Sequence, residues 1–279
     1  MGWASWSGSA PDPKLFGRMQ EGNGIRRVLL ASCLGAALLA PAGGVRAEGG
    51  EELAGDYFVG AAVFLFERTV LAAFAPTGIS ESMLDAGAMV NAIDHATDED
   101  GAVALEAMLG WLRVEPPDPN AGGEAATVPG LDAERRRALI CLAFGADPDA
   151  RAALAHSAGL GKPERADCAA RYQDAHKRWA EWLKPYRKTA ETEAGDHPIL
   201  RLSFAPAIDE GDQAIADALK QNGLFQVLTD DFNRAFAFPR PVTALLTQCG
   251  EPKAFYNVER GEAVLCYELL AALLRSVPR

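Results

Sequence analysis

With 279 residues, the chain is long enough for one or two domains with a sizeable hydrophobic core. Hydrophobic residues make up 49% of the chain and charged residues 23%, which excludes disorder over its whole length. The formal net charge of −11 argues against binding to nucleic acid or to an anionic membrane surface, because both partners require a basic face.

The first 47 residues have the layout of a secretory signal peptide. A basic pair, an apolar stretch and a small-residue cleavage site follow one another at Arg26-Arg27, 28–40 and Val45-Arg46-Ala47. We predict cleavage after Ala47, so that residues 1–47 are removed and the mature protein is periplasmic or secreted. The start codon is open between Met1 and Met19, because the segment before Arg26 is long for the basic part of a signal.

Two other interpretations of this N-terminus are open. A lipoprotein signal would end at Cys33, but only five residues separate Cys33 from Arg27, too few for an apolar region. An uncleaved anchor would have to cross a hydrocarbon layer of ~30 Å, which the apolar stretch 28–40 is too short to span. We therefore expect no stable membrane span once the signal has been removed.

The first part of the mature chain is predicted to be helical. An apolar helix over 53–74 carries Glu67 and Arg68, and charges near its middle favour a buried core helix over a membrane segment. Ser80 is expected to open a second helix that runs to about His95. The other predicted elements here are a helix capped by Thr97, a loop over 115–130, a helix over 131–144 stopped by Gly145, and a helix over 168–187.

The predicted secondary structure changes from helical to mixed α and β across the polar stretch 188–198. Beyond it we predict a strand over 199–204, helices over 209–220 and 224–236, a strand over 242–247, a hairpin over 254–267 and a helix over 268–274. The predicted fold class is therefore mostly α with a small β component (α+β). Residues 48–279 are expected to form a single domain.

Known catalytic patterns are missing from the sequence. The four histidines are His95, His156, His176 and His197, and no two of them have the i, i+4 spacing of H-E-x-x-H. No nucleophile elbow, phosphate-binding loop or dinucleotide fingerprint occurs either. Of the four histidines, His95 has the most favourable acidic neighbours, because Asp94 and Asp98 are close to it in sequence.

Four of the five cysteines remain after the predicted cleavage, an even number for an oxidising compartment. Three pairings of these four are possible, and free buried thiols are the alternative to any pairing. We favour the local pairing, Cys141 with Cys168 and Cys249 with Cys266. Each bridge would contribute on the order of 3 kcal/mol by the loop-entropy argument.

Several blocks of the chain resemble a bacterial family of zinc metallopeptidases that is defined as a domain of unknown function. The blocks that carry the resemblance include Cys249-Gly-Glu-Pro-Lys-Ala-Phe-Tyr-Asn, Val264-Leu-Cys-Tyr-Glu-Leu269, Cys141-Leu-Ala-Phe-Gly-Ala-Asp-Pro148 and Arg165-Ala-Asp-Cys168. The resemblance extends over about residues 53–270. It implies a metallopeptidase-like helical domain that is closed by a C-terminal β-hairpin and helix.

The same resemblance implies a zinc site that this chain lacks. In the family, the apolar helix runs into H-E-x-G-H, and an acidic stretch further on supplies another ligand. The corresponding region here, 64–72, contains no histidine, and none occurs between Glu48 and Asp94. Because a catalytic zinc needs about three protein ligands and an open position for water, we expect a member that has lost the motif and binds no zinc cofactor.

A few polar residues remain as candidates for a site. Glu67 is the candidate relic of the general base, and its alternative interpretation is a core residue paired with Arg68 or a lysine. The candidate metal ligands are Glu81, Asp85 and His95, although none of them forms a recognised motif.

We therefore predict that the protein is a catalytically inactive homologue of this family. It is expected to bind an unidentified protein or peptide through the former active-site cleft. One alternative is an active metal-dependent hydrolase with ligands drawn from His95, Glu81, Asp85 and Glu67. A second alternative is a structural envelope protein. The binding hypothesis requires an open cleft, and burial of Phe64, Phe66 and Phe74 would fill it with hydrophobic core.

Overall fold

A computed structural model describes residues 48–96, 99–113, 133–189 and 199–275. The predicted signal peptide with Cys33, the Thr97 cap with Asp98, and the predicted loop over 115–130 lie outside the described residues. His197 and most of the polar stretch 188–198 lie outside them as well.

The described chain is mostly helical with one small sheet, so the predicted α+β class is confirmed. The helices before the sheet are α1 (Glu48–Leu71), α2 (Glu81–His95), α3 (Glu99–Arg113), α4 (Ala133–Ala146), α5 (Ala152–Ser157) and α6 (Lys162–Leu183). The elements that follow are β1 (Leu200–Phe204), α7 (Glu210–Asn222), α8 (Leu224–Ala235), β2 (Val242–Thr247), β3 (Ala254–Asn257), β4 (Glu262–Cys266) and α9 (Tyr267–Arg275).

Helix α1 is the centre of the molecule because it is buried on all sides from residue 58 onwards. It packs against α2, α3 and α9 and against the hairpin strands β3 and β4. The contact with α3 is close: a Cβ atom on Gly60 would lie 2.1 Å from the backbone oxygen of Ala107. None of the described helices is both long and apolar enough to cross a membrane.

Helix α2 is fixed at its start and along its length. Its N-cap is Ser80, as predicted, and the Ser80 hydroxyl accepts a hydrogen bond from the backbone N–H of Met83. The indole of Trp179, on α6, lies directly over Gly87, and its Nε1 donates to the backbone oxygen of Met83 at 3.0 Å. The first two turns of α2 therefore have a defined position relative to α6.

Helices α4 and α6 differ from their predicted bounds. Gly145 lies inside α4 instead of ending it, because a Cβ there would be 2.2 Å from the backbone oxygen of Cys168 and only glycine permits this approach. Helix α6 begins at Lys162, six residues before the predicted start, since Pro163 suits the first turn of a helix. A disulfide between Cys141 and Cys168 joins the two helices.

The sheet has the strand order β1-β2-β4-β3. Strands β1, β2 and β4 are parallel, and β3 runs antiparallel to β4 as the other arm of a hairpin. The side chain of Asn233 donates to and accepts from the backbone of Leu200 at 2.8 Å, which occupies polar groups of edge strand β1. A second disulfide, between Cys249 and Cys266, ties the segment after β2 to the end of β4.

Candidate functional site

An open pocket of about 290 Å³ lies between the C-terminal end of α1 and the hairpin. Its first wall is formed by the last turn of α1 and the turn that follows, together with the start of α2. Its second wall is formed by Arg240 and by residues of β3 and its turn, including Phe255, Tyr256 and Val258. The pocket thus lies at the part of α1 where the resemblance places the zinc-binding motif.

Three side chains at the end of α1 and in the turn that follows line the pocket, at the spacing i, i+1 and i+4. They are Arg68, Thr69 and Ala72. Arg68 is a cation and Ala72 has no polar atom, so neither can serve as a zinc ligand. The Thr69 hydroxyl donates to the backbone oxygen of Leu65 at 2.6 Å and is already engaged within its own helix.

Arg68 is the centre of a buried ion network on this wall. Its Nε donates to Oδ1 of Asp85 at 2.7 Å, and its Nη2 pairs with Glu81. Arg135, on α4, donates to both oxygens of Asp85 at 2.6 and 2.7 Å. Burial lowers the pKa of Arg68, and the Asp85 carboxylate opposes this effect by stabilising the charged guanidinium. The positive charge of Arg68 therefore depends on Asp85.

The structure therefore brings two of the candidate metal ligands, Glu81 and Asp85, close together, but both carboxylates are paired with arginines. Asp85 is buried, and Glu81 is exposed at the pocket with its carboxylate paired to Arg68. Two guanidinium groups at one pair of carboxylates supply the positive charge that a metal ion would otherwise supply.

His95 is not brought to this pair. It lies at the other end of α2, where its Nδ1 is 2.8 Å from the backbone oxygen of Asn91. Among the described residues, one group of acidic, cysteine and histidine side chains has metal-like proximity: Cys249, Cys266 and Glu268. The two sulfur atoms of this group form a disulfide, so they are not free to bind a metal ion. The Glu268 carboxylate accepts hydrogen bonds from the backbone N–H groups of Cys249 and Gly250.

Glu67 faces away from the pocket and into the core. Its Oε2 accepts a hydrogen bond from Nδ2 of Asn91 at 3.3 Å, and burial raises its pKa to about 8. Glu67 is a core residue, as in the alternative interpretation, but its partner is Asn91 and not Arg68 or a lysine: consecutive side chains on a helix point in different directions, and Arg68 turns to Asp85 instead. Glu67 has the pKa of a general base without access to the pocket.

The phenylalanines that could fill the cleft are indeed part of the core. Phe64, Phe66 and Phe74 are all buried, and Phe74 packs against the rings of Phe236 and Phe238. The pocket lies beyond these rings, at the surface between α1 and the hairpin. The three buried rings therefore fill the core, and the pocket at the C-terminal end of α1 remains open.

The second wall of the pocket combines a cation with exposed apolar groups. Phe255 and Val258 are 38% and 59% exposed, which is unusual for large hydrophobic side chains in this protein. The guanidinium of Arg240 lies 5.9 Å from the ring centre of Tyr256, and it also donates to the Tyr256 hydroxyl and to the backbone oxygen of Val258.

Sequence reasoning missed Arg135, Arg240 and Tyr256 as site residues. Arg135 is 50 residues from Asp85, and nothing local indicates that the two side chains meet. Arg240 stands between two prolines outside any motif. Tyr256 belongs to the block that carries the family resemblance, which was the one available signal for this wall.

Comparison with protein families finds one match, to a family described as "Putative metallopeptidase", over residues 204–277. The match contains β2, the hairpin and α9, and so includes the second wall of the pocket but not α1. No curated protein and no solved structure matches the chain. The family match supports a peptidase-like scaffold in the C-terminal part of the molecule.

Proposed function

We propose that this protein is a secreted or periplasmic, catalytically inactive relative of metallopeptidases that binds a protein or peptide segment in the pocket between α1 and the hairpin. The observation that carries the proposal is the position of Arg68. Its guanidinium occupies the pocket wall and pairs with Glu81 and Asp85, the two carboxylates nearest to a metal-ligand arrangement. A cation at this point repels a metal ion, and no described histidine lines the pocket.

The rest of the pocket suits recognition of a peptide. Peptide sites combine apolar contact area with a few placed polar groups, and they often lie along the free edge of a sheet. Strand β3 is an edge strand, and it presents Phe255 at the pocket. Val258 follows in the turn, so that a bound segment could bury both side chains.

The two disulfides and the predicted signal peptide support the proposed location. Disulfides persist in the periplasm and outside the cell and are rare in the reducing cytosol. The described residues contain two such bonds, Cys141–Cys168 and Cys249–Cys266.

The proposal is tested with the protein purified from an oxidising expression compartment and an immobilised peptide array. We expect peptides to be bound and to remain intact by mass spectrometry. Phe255→Asp should abolish binding because it places a charge on the pocket wall, whereas Ile208→Asp should not. Ile208 is the matched control since it is 96% exposed and lies outside the pocket. Peptide cleavage that stops on addition of a chelator would contradict the proposal.

A further inference from the structure

Arg240, which precedes β2, differs in its partners from the cations in and beside the hairpin. Lys253 pairs with Glu251 at 2.5 Å, and Arg260 lies 3.9 Å from Glu262. In the described part of the chain, Arg240 has no carboxylate partner: its acceptors are the Tyr256 hydroxyl and the Val258 backbone oxygen, which are both neutral. Its positive charge is therefore not cancelled by a neighbouring acid.

The opposite wall does not cancel this charge either. Glu81 is the carboxylate that lines the pocket, and it is paired with Arg68. The remaining members of that network, Asp85 and Arg135, carry one negative and one positive charge. Arg240 thus leaves the pocket with an excess positive charge, in a chain whose formal net charge is −11. An anionic ligand is the complement of this arrangement.

The guanidinium of Arg240 is held in place before any ligand arrives. It lies half-buried over the Tyr256 ring, with bonds from Nε and Nη2, while Nη1 has no acceptor among the described residues. Gly261, at φ +69°, makes room for it, because a Cβ there would be 3.4 Å from Arg240 Nε and 2.9 Å from the Pro241 oxygen. A fixed donor binds an anion with a smaller loss of side-chain entropy.

The surroundings of Arg240 favour the end of a peptide chain over a bare anion. Phe255 and Val258 offer apolar area beside the guanidinium. The volume of about 290 Å³ is at the lower limit for ligand sites, so the pocket has room for a chain end but not for a long continuous segment.

We infer that Arg240 forms a carboxylate subsite that takes the C-terminal carboxylate of a peptide ending in an apolar residue. The carboxylate accepts a charge-assisted hydrogen bond from Nη1 of Arg240, and the last side chain packs on Phe255 and Val258. This inference rests on the proposed function and specifies its ligand.

The test uses two fluorescently labelled hexapeptide pools of mixed sequence with leucine, valine or phenylalanine last. One pool carries a free C-terminal carboxylate and the other a C-terminal amide. Fluorescence polarisation should show that the free acids bind at least about 10-fold more tightly, the range for a hydrogen bond to a charged group. This preference should weaken as the salt concentration rises, whereas binding of the amides should change little.

Arg240→Gln should remove the preference for the free acid, and Arg240→Lys should retain part of it through the remaining positive charge. Arg260→Gln is the matched control: it removes one positive charge from the hairpin turn at a residue that does not line the pocket. Thermal melting checks that each variant is folded. The salt dependence of the unaltered protein tests the inference even if the Arg240 variants do not fold.

Three results would overturn the subsite. They are equal binding of acids and amides, failure of both pools to bind, and a preference for the acid that survives Arg240→Gln. Tight binding of amidated peptides that contain an internal glutamate would place the carboxylate on a side chain and would also contradict it. Equal binding of intact acids and amides leaves the proposed function standing, whereas chelator-sensitive cleavage of the peptides would reject that function itself.

Discussion

At the scale of single residues, the ion network of the pocket wall is held by Asp85. Its carboxylate is 4% exposed and bonds to both Arg68 and Arg135, whereas the Glu81 carboxylate is 68% exposed. The two carboxylates were indistinguishable in the sequence, and burial alone separates their roles.

We expect Asp85→Ala to lower the free energy of unfolding by about 3–5 kcal/mol, because it leaves the buried Arg68 guanidinium without its main partner. Glu81→Ala should cost less than about 1 kcal/mol, since an exposed ion pair contributes little. Urea unfolding of both variants measures the difference. Equal costs for the two substitutions would show that the network is not organised around Asp85.

The stability of the protein should depend on pH through Glu67. Burial raises the pKa of this side chain to about 8 from an ordinary value of 4.5. Between these two pH values the folded state holds a proton that the unfolded state has released. The free energy of unfolding should therefore fall as pH rises through this window, by up to about 1.4 kcal/mol per pH unit, and level off above it. A protonated Glu67 is also a hydrogen-bond donor, the complement of the buried Asn91 Oδ1, which has no partner among the described residues.

Glu67→Gln should remove this component of the pH dependence, because glutamine stays neutral and keeps a similar shape. The measurement is the difference in unfolding free energy between variant and parent at several pH values from 5 to 9. Glu181→Gln, at an exposed position of α6, is the control and should leave the curve unchanged. A Glu67→Gln curve parallel to that of the parent would refute the assignment.

At the scale of elements, glycine sets the distance between α1 and α3. Gly60→Ala should destabilise the protein by about 1–3 kcal/mol, because its Cβ would meet the Ala107 backbone, which cannot move without shifting α3. Gly110→Ala, on α3, is the matched control, since nothing lies within 4 Å of a Cβ there. It should be neutral or stabilising by up to about 1 kcal/mol. Thermal or urea unfolding tests the pair.

Local signals predicted most of the elements. Ser80 opens a helix where expected, the helix predicted from Asp209 begins one residue later with Asp209 as its N-cap, and the bounds of β2 agree with the prediction. The error at Gly145 has a physical reason: the residue is required by a neighbouring helix, which a local pattern cannot reveal. The site was less predictable for the same reason, because Asp85–Arg135 and Arg240–Tyr256 are contacts between distant segments.

At the scale of the whole molecule, the two disulfides join different parts of the fold. Replacing either pair by serine, Cys141 with Cys168 or Cys249 with Cys266, should lower the free energy of unfolding by about 3 kcal/mol. The bridges close loops with sequence separations of 27 and 17, and the loop-entropy cost changes slowly with length. Urea unfolding under oxidising conditions measures both effects. Titration of free thiols in the denatured parent should find none of these four.

The proposed loss of the metal site determines the metal content of the whole protein. After dialysis against trace zinc, we expect less than about a tenth of an equivalent of bound metal by plasma mass spectrometry, because the described residues that line the pocket do not offer three ligands. A value near one equivalent would contradict the proposal. In that case His95→Ala, compared with His156→Ala as the control, would show whether His95 is a ligand.

The strand order β1-β2-β4-β3 has a consequence for the order in which the molecule can assemble during synthesis. Strand β2 has β1 on one side, but its other neighbour is β4, which leaves the ribosome only after β3. Helix α1 also packs against the hairpin and α9, which are synthesised after all the other described elements. Such long-range pairing folds slowly. A chain that cannot complete its core early stays unfolded for longer, which suits the proposed secretion because an export channel for unfolded proteins requires an unfolded chain.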